Sequence, residues 1–174
     1  MMSRRLVGIC TLGVLTSLCD TEALEGPSRS LPLDSGPDAT FWSCTNGAEF
    51  PGAQARLHST AGGTLALDYD FSAGGSYVAA IRGRILPVEA TGVSYTLQAS
   101  EPCTVFCRIQ SGGRTYQGFS SQLEAGTNTS AQIDLAGPWT SSWGPGQEGT
   151  PPRRPIEALW VCINKGKDLP SIGT

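Results

Sequence analysis

The clearest hydrophobic pattern in this chain is an alternation over positions 65–71, in which large apolar residues are separated by Ala66, Asp68 and Asp70. Successive side chains of a strand point to opposite faces, so the alternation predicts a strand with one buried face. Asp68 and Asp70 mark the solvent face, because a buried carboxylate without a partner is costly. The inward positions are predicted to be Leu65, Leu67, Tyr69 and Phe71.

A glycine turn at residues 72–75 follows this strand and precedes a second apolar run at residues 76–85. Paired glycines reach positive φ without a Cβ clash, so they are typical of tight turns. We therefore predict that the two runs form a hairpin, and that the rest of the domain is organised around it. The same reasoning predicts a second hairpin around Gly112 and Gly113.

Six further short runs, each set off by glycine or proline turns, have the composition of strands. No segment after the first 23 residues has helical periodicity. Seven or eight strands at this spacing predict an all-β domain, a two-sheet antiparallel β-sandwich of the jelly-roll type. The six runs are residues 53–59, 92–99, 104–110, 114–119, 128–135 and 156–163.

The composition supports this fold class. The 174 residues include 22 glycines and 12 prolines, and only 16% are charged, which suits short strands joined by many turns. The net charge is −3 and no basic run occurs, so neither nucleic acid nor an anionic membrane is an expected partner.

The first 23 residues have the pattern of a signal peptide. Arg4 and Arg5 precede a mostly apolar run at residues 6–18, which is shorter than the roughly 20 residues that span a bilayer. We therefore predict a secreted or periplasmic protein. Residues 24–40 form a lead-in rich in proline, glycine and serine, and residues 41–174 form the sandwich.

Removal of a signal peptide would leave four cysteines, Cys44, Cys103, Cys107 and Cys162. Four cysteines allow three pairings, and the sequence does not choose among them. A pair between Cys107 and Cys162 is one option, and buried free thiols are the alternative. Because there is no C-x-x-C motif and a single histidine, His58, a zinc site is not expected.

Catalytic constellations are weak, and the chain is not expected to be an enzyme. Asp68 and Asp70 would lie about 7 Å apart on one strand, a spacing that a glycosidase pair can use. A solvated strand face, or pairing with Arg82 or Arg84, is the favoured explanation of the two carboxylates. His58 has no partner that the sequence identifies.

The sequence offers better candidate residues for carbohydrate binding than for catalysis. Sugars present apolar C–H faces rimmed by hydroxyls, so a site needs an aromatic platform beside planar hydrogen-bonding groups. One alternative is that the loop at residues 136–155, which carries Trp139 and Trp143, plugs the core. Another is that Arg82 and Arg108 pair with acidic residues. Trp42 and Trp160 are expected in the core. The candidate carbohydrate-binding residues are Trp143, Trp139, Tyr116, Gln117, Arg82 and Arg108.

Several short motifs follow one another in an order that resembles a known family. They are FWS at 41–43, NGAEFPG at 46–52, LALDYDF at 65–71, GGSYV at 74–78 and WTSSWG at 139–144. Together they resemble the galactose-binding-like jelly-roll domains, similar to carbohydrate-binding modules, that lie N-terminal to catalytic domains of bacterial glycoside hydrolases. The resemblance implies an accessory domain that binds a polysaccharide or oligosaccharide. The alternative function is a structural or protein-interaction sandwich of an exported protein.

The resemblance also implies features around the last strand. Such domains continue after their last apolar strand into a closing strand, so the chain is expected to lack its final strand and a C-terminal catalytic partner. They often bind a structural calcium ion between the first and last strands. Asn46 and Glu49 offer the hard oxygen ligands that calcium prefers.

Overall fold

A computed structural model describes residues 11–16, 29–33, 36–166 and 170–174. This part of the chain contains thirteen β-strands, one 3₁₀ helix (Gly36–Phe41) and no α-helix, and no helix in it could cross a membrane. The all-β prediction is confirmed. In chain order the strands are Thr11–Thr16 (β1), Arg29–Pro32 (β2), Trp42–Thr45 (β3), Gln54–Ser59 (β4), Leu65–Asp70 (β5), Tyr77–Arg82 (β6), Ala90–Gln98 (β7), Cys103–Ser111 (β8), Arg114–Leu123 (β9), Asn128–Asp134 (β10), Ser141–Trp143 (β11), Ala158–Asn164 (β12) and Ile172–Gly173 (β13).

The strands form three antiparallel sheets. The largest has six strands in the order β11-β9-β8-β12-β6-β3, and the others have the orders β10-β7-β1-β2 and β13-β5-β4. Side chains from all three sheets meet in one continuous core, as expected for a sandwich. Its most deeply buried members include Phe71, Val78, Val93, Ile109, Ile133 and Leu159.

The alternation predicted for β5 is confirmed from Asp68 onward, whereas Ala66, at an outward position of the pattern, is also buried. Leu65, Tyr69 and Phe71 are buried, and Leu67 packs against the same core. On the other face, Asp68 accepts a hydrogen bond from the Thr174 hydroxyl at 2.8 Å. The polar positions of the pattern therefore remain at the solvent side, as the sequence predicts.

The predicted hairpin between β5 and β6 is wrong, because these strands belong to different sheets. β5 pairs instead with β4, and the glycine turn crosses from the three-stranded sheet to the six-stranded sheet. Gly74 and Gly75 have φ of 119° and 86°, and a Cβ on Gly75 would lie 2.5 Å from the Cβ of Ala53. The glycines thus permit a close approach of two backbones rather than a two-residue hairpin.

The second predicted hairpin is confirmed. β8 and β9 pair directly, with Ser111 opposite Arg114. Gly112 and Gly113 have φ of 59° and 73°, the double positive φ that a two-residue turn of type I′ requires. The carboxylate of Glu157 accepts from the amides of both glycines and fixes the turn.

The N-terminal strands join the four-stranded sheet. β1 pairs with β7 from Thr11 opposite Thr96 to Thr16 opposite Ala90, and β2 pairs with the other edge of β1. β1 lies within the predicted signal peptide, whose other residues lie outside the described ranges. Its removal on export stays a prediction, and that removal would uncover one edge of β7.

The lead-in contributes to the core as well. Leu33 is 2% exposed, and its carbonyl oxygen accepts a hydrogen bond from Trp42 Nε1 at 2.6 Å. The 3₁₀ helix then leads directly into β3. Leu33 thereby ties this part of residues 24–40 to the domain.

Cys44, Cys103, Cys107 and Cys162 are not joined by disulfide bonds. Cys107 points into the main core, whereas Cys162 belongs to a small cluster on the opposite face of the six-stranded sheet. The suggested Cys107–Cys162 pair is therefore wrong, since the two side chains lie on opposite faces. Burial raises the pKa of Cys103 to about 11 and that of Cys162 to about 12, so both thiols are poor nucleophiles.

Candidate functional site

The six-stranded sheet carries a group of aromatic and polar side chains on the face turned away from the main core. Their chain neighbours, such as Ile109 and Leu159, point into that core. Cross-strand register places Arg108 opposite both Gln117 and Trp160. We call the surface formed by Tyr77, Phe106, Arg108, Gln117, Trp143 and Trp160 the outer face.

Arg108 is the centre of the outer face. Its guanidinium carbon lies 4.4 Å from the ring centroid of Tyr77 and 5.1 Å from those of Phe106 and Trp143. Its Nε donates a hydrogen bond to Gln117 Oε1 at 2.7 Å. Cation–π contacts and a charge-assisted hydrogen bond thus hold a planar cation in a fixed orientation.

A carboxylate lies beside this cation. The hydroxyl of Tyr77 donates to Glu49 Oε1 at 2.6 Å, and the Phe50 ring meets Tyr77 edge-on at 6.4 Å. The Tyr77 hydrogen bond lowers the pKa of Glu49, with smaller contributions from a backbone hydrogen bond and the charge of Arg108. Burial is the main cause that raises the pKa of Tyr77. An ionised carboxylate at the border of the outer face therefore accompanies its fixed cation near neutral pH.

Replacing Tyr77 with phenylalanine is expected to raise the pKa of Glu49, because the hydroxyl is the largest cause of its lowered value. A lowered carboxyl pKa stabilises the fold above the unfolded pKa, and this contribution disappears as the pH falls through the folded pKa. Carbon-detected NMR titration of the Glu49 carboxyl measures the change directly. Tyr95→Phe, a buried tyrosine of β7, is the control and should leave the Glu49 titration unchanged.

Trp143 is the exposed aromatic of the outer face, at 45% exposure. It ends β11, and the loop that follows is held by the buried Arg114. Arg114 Nη1 donates to the carbonyl oxygens of Gly144, Pro145 and Gly146 at 3.0–3.2 Å, and its Nε and Nη2 donate to Ser142 Oγ. Trp143 is thereby carried on a fixed segment.

Three predicted binding residues do not join the outer face. Tyr116 is 4% exposed and packs against Trp139 with ring centroids 6.2 Å apart, and Trp139 also meets Phe119 at 5.0 Å. Both belong to the core side, in agreement with the alternative that the loop plugs the core. Arg82 is 3% exposed and donates to the carbonyl oxygen of Arg84 at 2.6 Å. These three side chains therefore do not share a face with Trp143, Arg108 and Gln117, and Tyr116 is one position out of phase with Gln117 along β9.

One outer-face residue was missed. Trp160 was expected in the core, but it packs in the small cluster with Phe106 and Cys162. Its indole Nε1 is buried without a hydrogen-bond partner among the described residues. The run around Trp160 is apolar at every position, so no alternation reveals which side chains point outward.

The calcium prediction gains no support. Glu49 is engaged by Tyr77, and Asn46 is exposed at the start of the same loop. Across the described ranges no group of three or more histidine, cysteine, aspartate or glutamate side chains could hold a metal ion. These two residues alone do not fit a calcium site, and no role is derived from one.

A cavity of about 310 Å³ lies beneath the loop after Trp143. Tyr116 and Trp139 form one wall, and Glu148 lines another side. Trp139 Nε1 is buried and has no hydrogen-bond partner in the part of the chain that the structure describes. The two aromatic residues that do not join the outer face therefore line this cavity.

No protein-family model matches this chain, and no curated protein or solved structure matches it either. The resemblance to galactose-binding-like domains of glycoside hydrolases therefore stays a prediction. The chemistry of the outer face is the basis on which function can be argued.

Proposed function

We propose that this protein is a non-catalytic carbohydrate-binding domain that takes a polysaccharide or oligosaccharide on the outer face. The proposal includes the setting that the sequence suggests, an accessory domain of a secreted or periplasmic polysaccharide-degrading protein. In that setting a separate catalytic domain is its partner. Trp143, Arg108 and Gln117 carry the binding role.

The observation that supports the proposal most directly is the position of Trp143. Its ring is 45% exposed and lies 5.1 Å from the Arg108 guanidinium, which donates to Gln117. A sugar ring can stack its C–H face on such an indole, while guanidinium and amide groups meet its hydroxyls. An exposed platform and fixed planar donors on one surface are what saccharide recognition needs.

The affinity is expected to be weak. One stacked ring buries modest apolar area, and hydrogen bonds to hydroxyls largely replace hydrogen bonds to water. The Nε of Arg108 is already engaged by Gln117, so fewer of its donors remain for a ligand. We expect a Kd of about 10⁻⁵ to 10⁻³ M per site, or roughly −4 to −7 kcal/mol.

Trp143→Ala is expected to weaken glycan binding at least about tenfold, which corresponds to about 1.4 kcal/mol. Affinity electrophoresis against soluble plant, algal and bacterial polysaccharides measures this. Phe41→Ala is the matched control, because Phe41 is 40% exposed and lies under Arg84 at 4.6 Å, just before the opposite edge strand β3. It removes an equivalent aromatic–arginine pair and should leave binding unchanged.

The alternative is a structural or protein-interaction sandwich without sugar binding. It is favoured by the contacts that Arg108 already makes, since three rings and Gln117 would form a purely stabilising cluster. In that case the wild-type protein shows no retardation on any glycan. Trp143→Ala then lowers the melting temperature and changes nothing else.

A further inference from the structure

One of the three asparagines of the chain is followed by glycine, at Asn46 and Gly47. This step is chemically labile, because without a Cβ on the next residue its amide nitrogen can approach the asparagine side chain closely. Asparagine is also among the thermolabile residues that heat-adapted proteins contain less often. Asn128 and Asn164 precede threonine and lysine, whose side chains hinder the same approach.

Asn46 and Gly47 lie in the loop between β3 and β4. Asn46 is exposed to water, whereas Gly47 is buried. The Gly47 amide donates to Thr45 Oγ1 at 3.4 Å, a long hydrogen bond to a hydroxyl that can pass the amide proton to water. Asn128 and Asn164 are also exposed, but they belong to β10 and β12, where pairing with neighbouring strands fixes the backbone. The glycine and the loop backbone therefore distinguish Asn46, rather than exposure.

We propose that Asn46 is a site of spontaneous deamidation, and that its isoaspartate product releases Glu49 from Tyr77. The Gly47 nitrogen attacks Asn46 Cγ, so that an N–Cγ bond forms, the Cγ–Nδ2 bond breaks and ammonia leaves with the Gly47 amide proton. Water then opens the resulting succinimide by breaking one of the two bonds between the Gly47 nitrogen and a carbonyl carbon. Breaking the bond to Cγ gives aspartate. Breaking the bond to the main-chain carbonyl carbon gives isoaspartate, in which the main chain runs through the side chain.

Isoaspartate lengthens the main chain between β3 and Gly47 by one carbon atom. Gly47 has no room to absorb this change, since a Cβ there would lie 2.8 Å from the carbonyl oxygen of Tyr77 and 3.0 Å from its Cε1. The Gly47 carbonyl oxygen accepts from the Phe50 amide at 2.8 Å, which closes the turn that carries Glu49. A shift of Gly47 away from Tyr77 therefore moves this turn and breaks the hydrogen bond of 2.6 Å between Glu49 and the Tyr77 hydroxyl. This consequence does not rest on the proposed sugar binding.

The test is to keep the full chain in mildly alkaline buffer and to map its tryptic peptides by mass spectrometry at intervals. We expect deamidation at Asn46 to be at least about tenfold faster than at Asn128 and Asn164, which serve as internal controls. The modified peptide gains the mass difference between water and ammonia, and isoaspartyl methyltransferase labels its isoaspartate form. Asn46→Gln should prevent the change, because the longer side chain closes a ring less readily. Deamidation at Asn46 no faster than at the two controls would overturn the site.

The release of Glu49 is tested on the isoaspartate protein after chromatographic separation. Carbon-detected NMR titration should find the pKa of the Glu49 carboxyl raised, because the Tyr77 hydrogen bond is the largest cause that lowers it. Asn46→Asp is the matched control, since it adds the same negative charge without lengthening the main chain. It should raise the pKa of Glu49 less than isoaspartate does. Equal titration of Glu49 in the two proteins would show that the charge alone acts, and the release would be overturned.

Discussion

Replacing Phe71 with alanine is expected to lower the free energy of unfolding by about 3–5 kcal/mol. Phe71 is 1% exposed, its ring lies 5.4 Å from that of Tyr69, and it stands where β5 leaves its sheet for the crossover to β6. The substitution leaves a large cavity between the two layers, which the surrounding strands cannot close. Equilibrium urea denaturation followed by intrinsic fluorescence measures the loss.

Phe50→Ala is the matched control for this experiment. Phe50 is 49% exposed, and its ring contact is the edge of Tyr77. Its removal should cost about 1 kcal/mol or less, as surface truncations usually do. If Phe71→Ala costs no more than Phe50→Ala, then the two layers do not pack around Phe71 and the sandwich described above is wrong at its centre.

Arg114→Ala is expected to destabilise the fold by about 2–4 kcal/mol and also to abolish most glycan binding. The side chain is 6% exposed and donates to three consecutive carbonyl oxygens and to Ser142 Oγ. Without it these carbonyls lose their donor, and the segment that carries Trp143 loses its anchor. Urea denaturation and affinity electrophoresis measure the two effects separately.

Two variants control this prediction. Arg114→Lys keeps the charge but not the planar fork, so it should recover part of the stability and little of the binding. Arg153→Ala truncates an exposed arginine whose backbone, not its side chain, bonds Ser111 Oγ, and it should behave as wild type. Full glycan affinity in a folded Arg114→Ala protein would show that Trp143 needs no such anchor.

Much of the fold follows from local sequence patterns. β8 shows period-two burial along its whole length and β5 shows it from Asp68 onward, and the Gly112-Gly113 turn joins β8 to β9 as predicted. The error at the β5–β6 connection has a clear physical reason. A glycine turn between two alternating runs is compatible with a hairpin in one sheet and with a crossover between sheets. The choice depends on β4, which lies earlier in the chain and competes for β5.

The site was harder to predict because it depends on which face of its strand each side chain occupies. Trp143, Arg108 and Gln117 come together as expected, whereas Tyr116 points to the core. A single-residue shift reverses the face on which a strand side chain lies. A tryptophan in a loop, such as Trp139, has no strand alternation from which the direction of its side chain can be predicted. The hydrogen bond between Glu49 and Tyr77 joins residues 28 positions apart, so no local pattern indicates it.

The position of β12 has a consequence for how the protein is made. β12 pairs with β6 on one side and β8 on the other, so two strands synthesised earlier cannot be joined until residues 158–164 have left the ribosome. At about 5–20 residues per second, β8 waits roughly 2–10 s after its own synthesis for this partner. During that interval β6 and β8 present unpaired edges, which are templates for association with other chains. A chaperone that shields the nascent chain should therefore raise the yield of folded protein more than any slowing of translation.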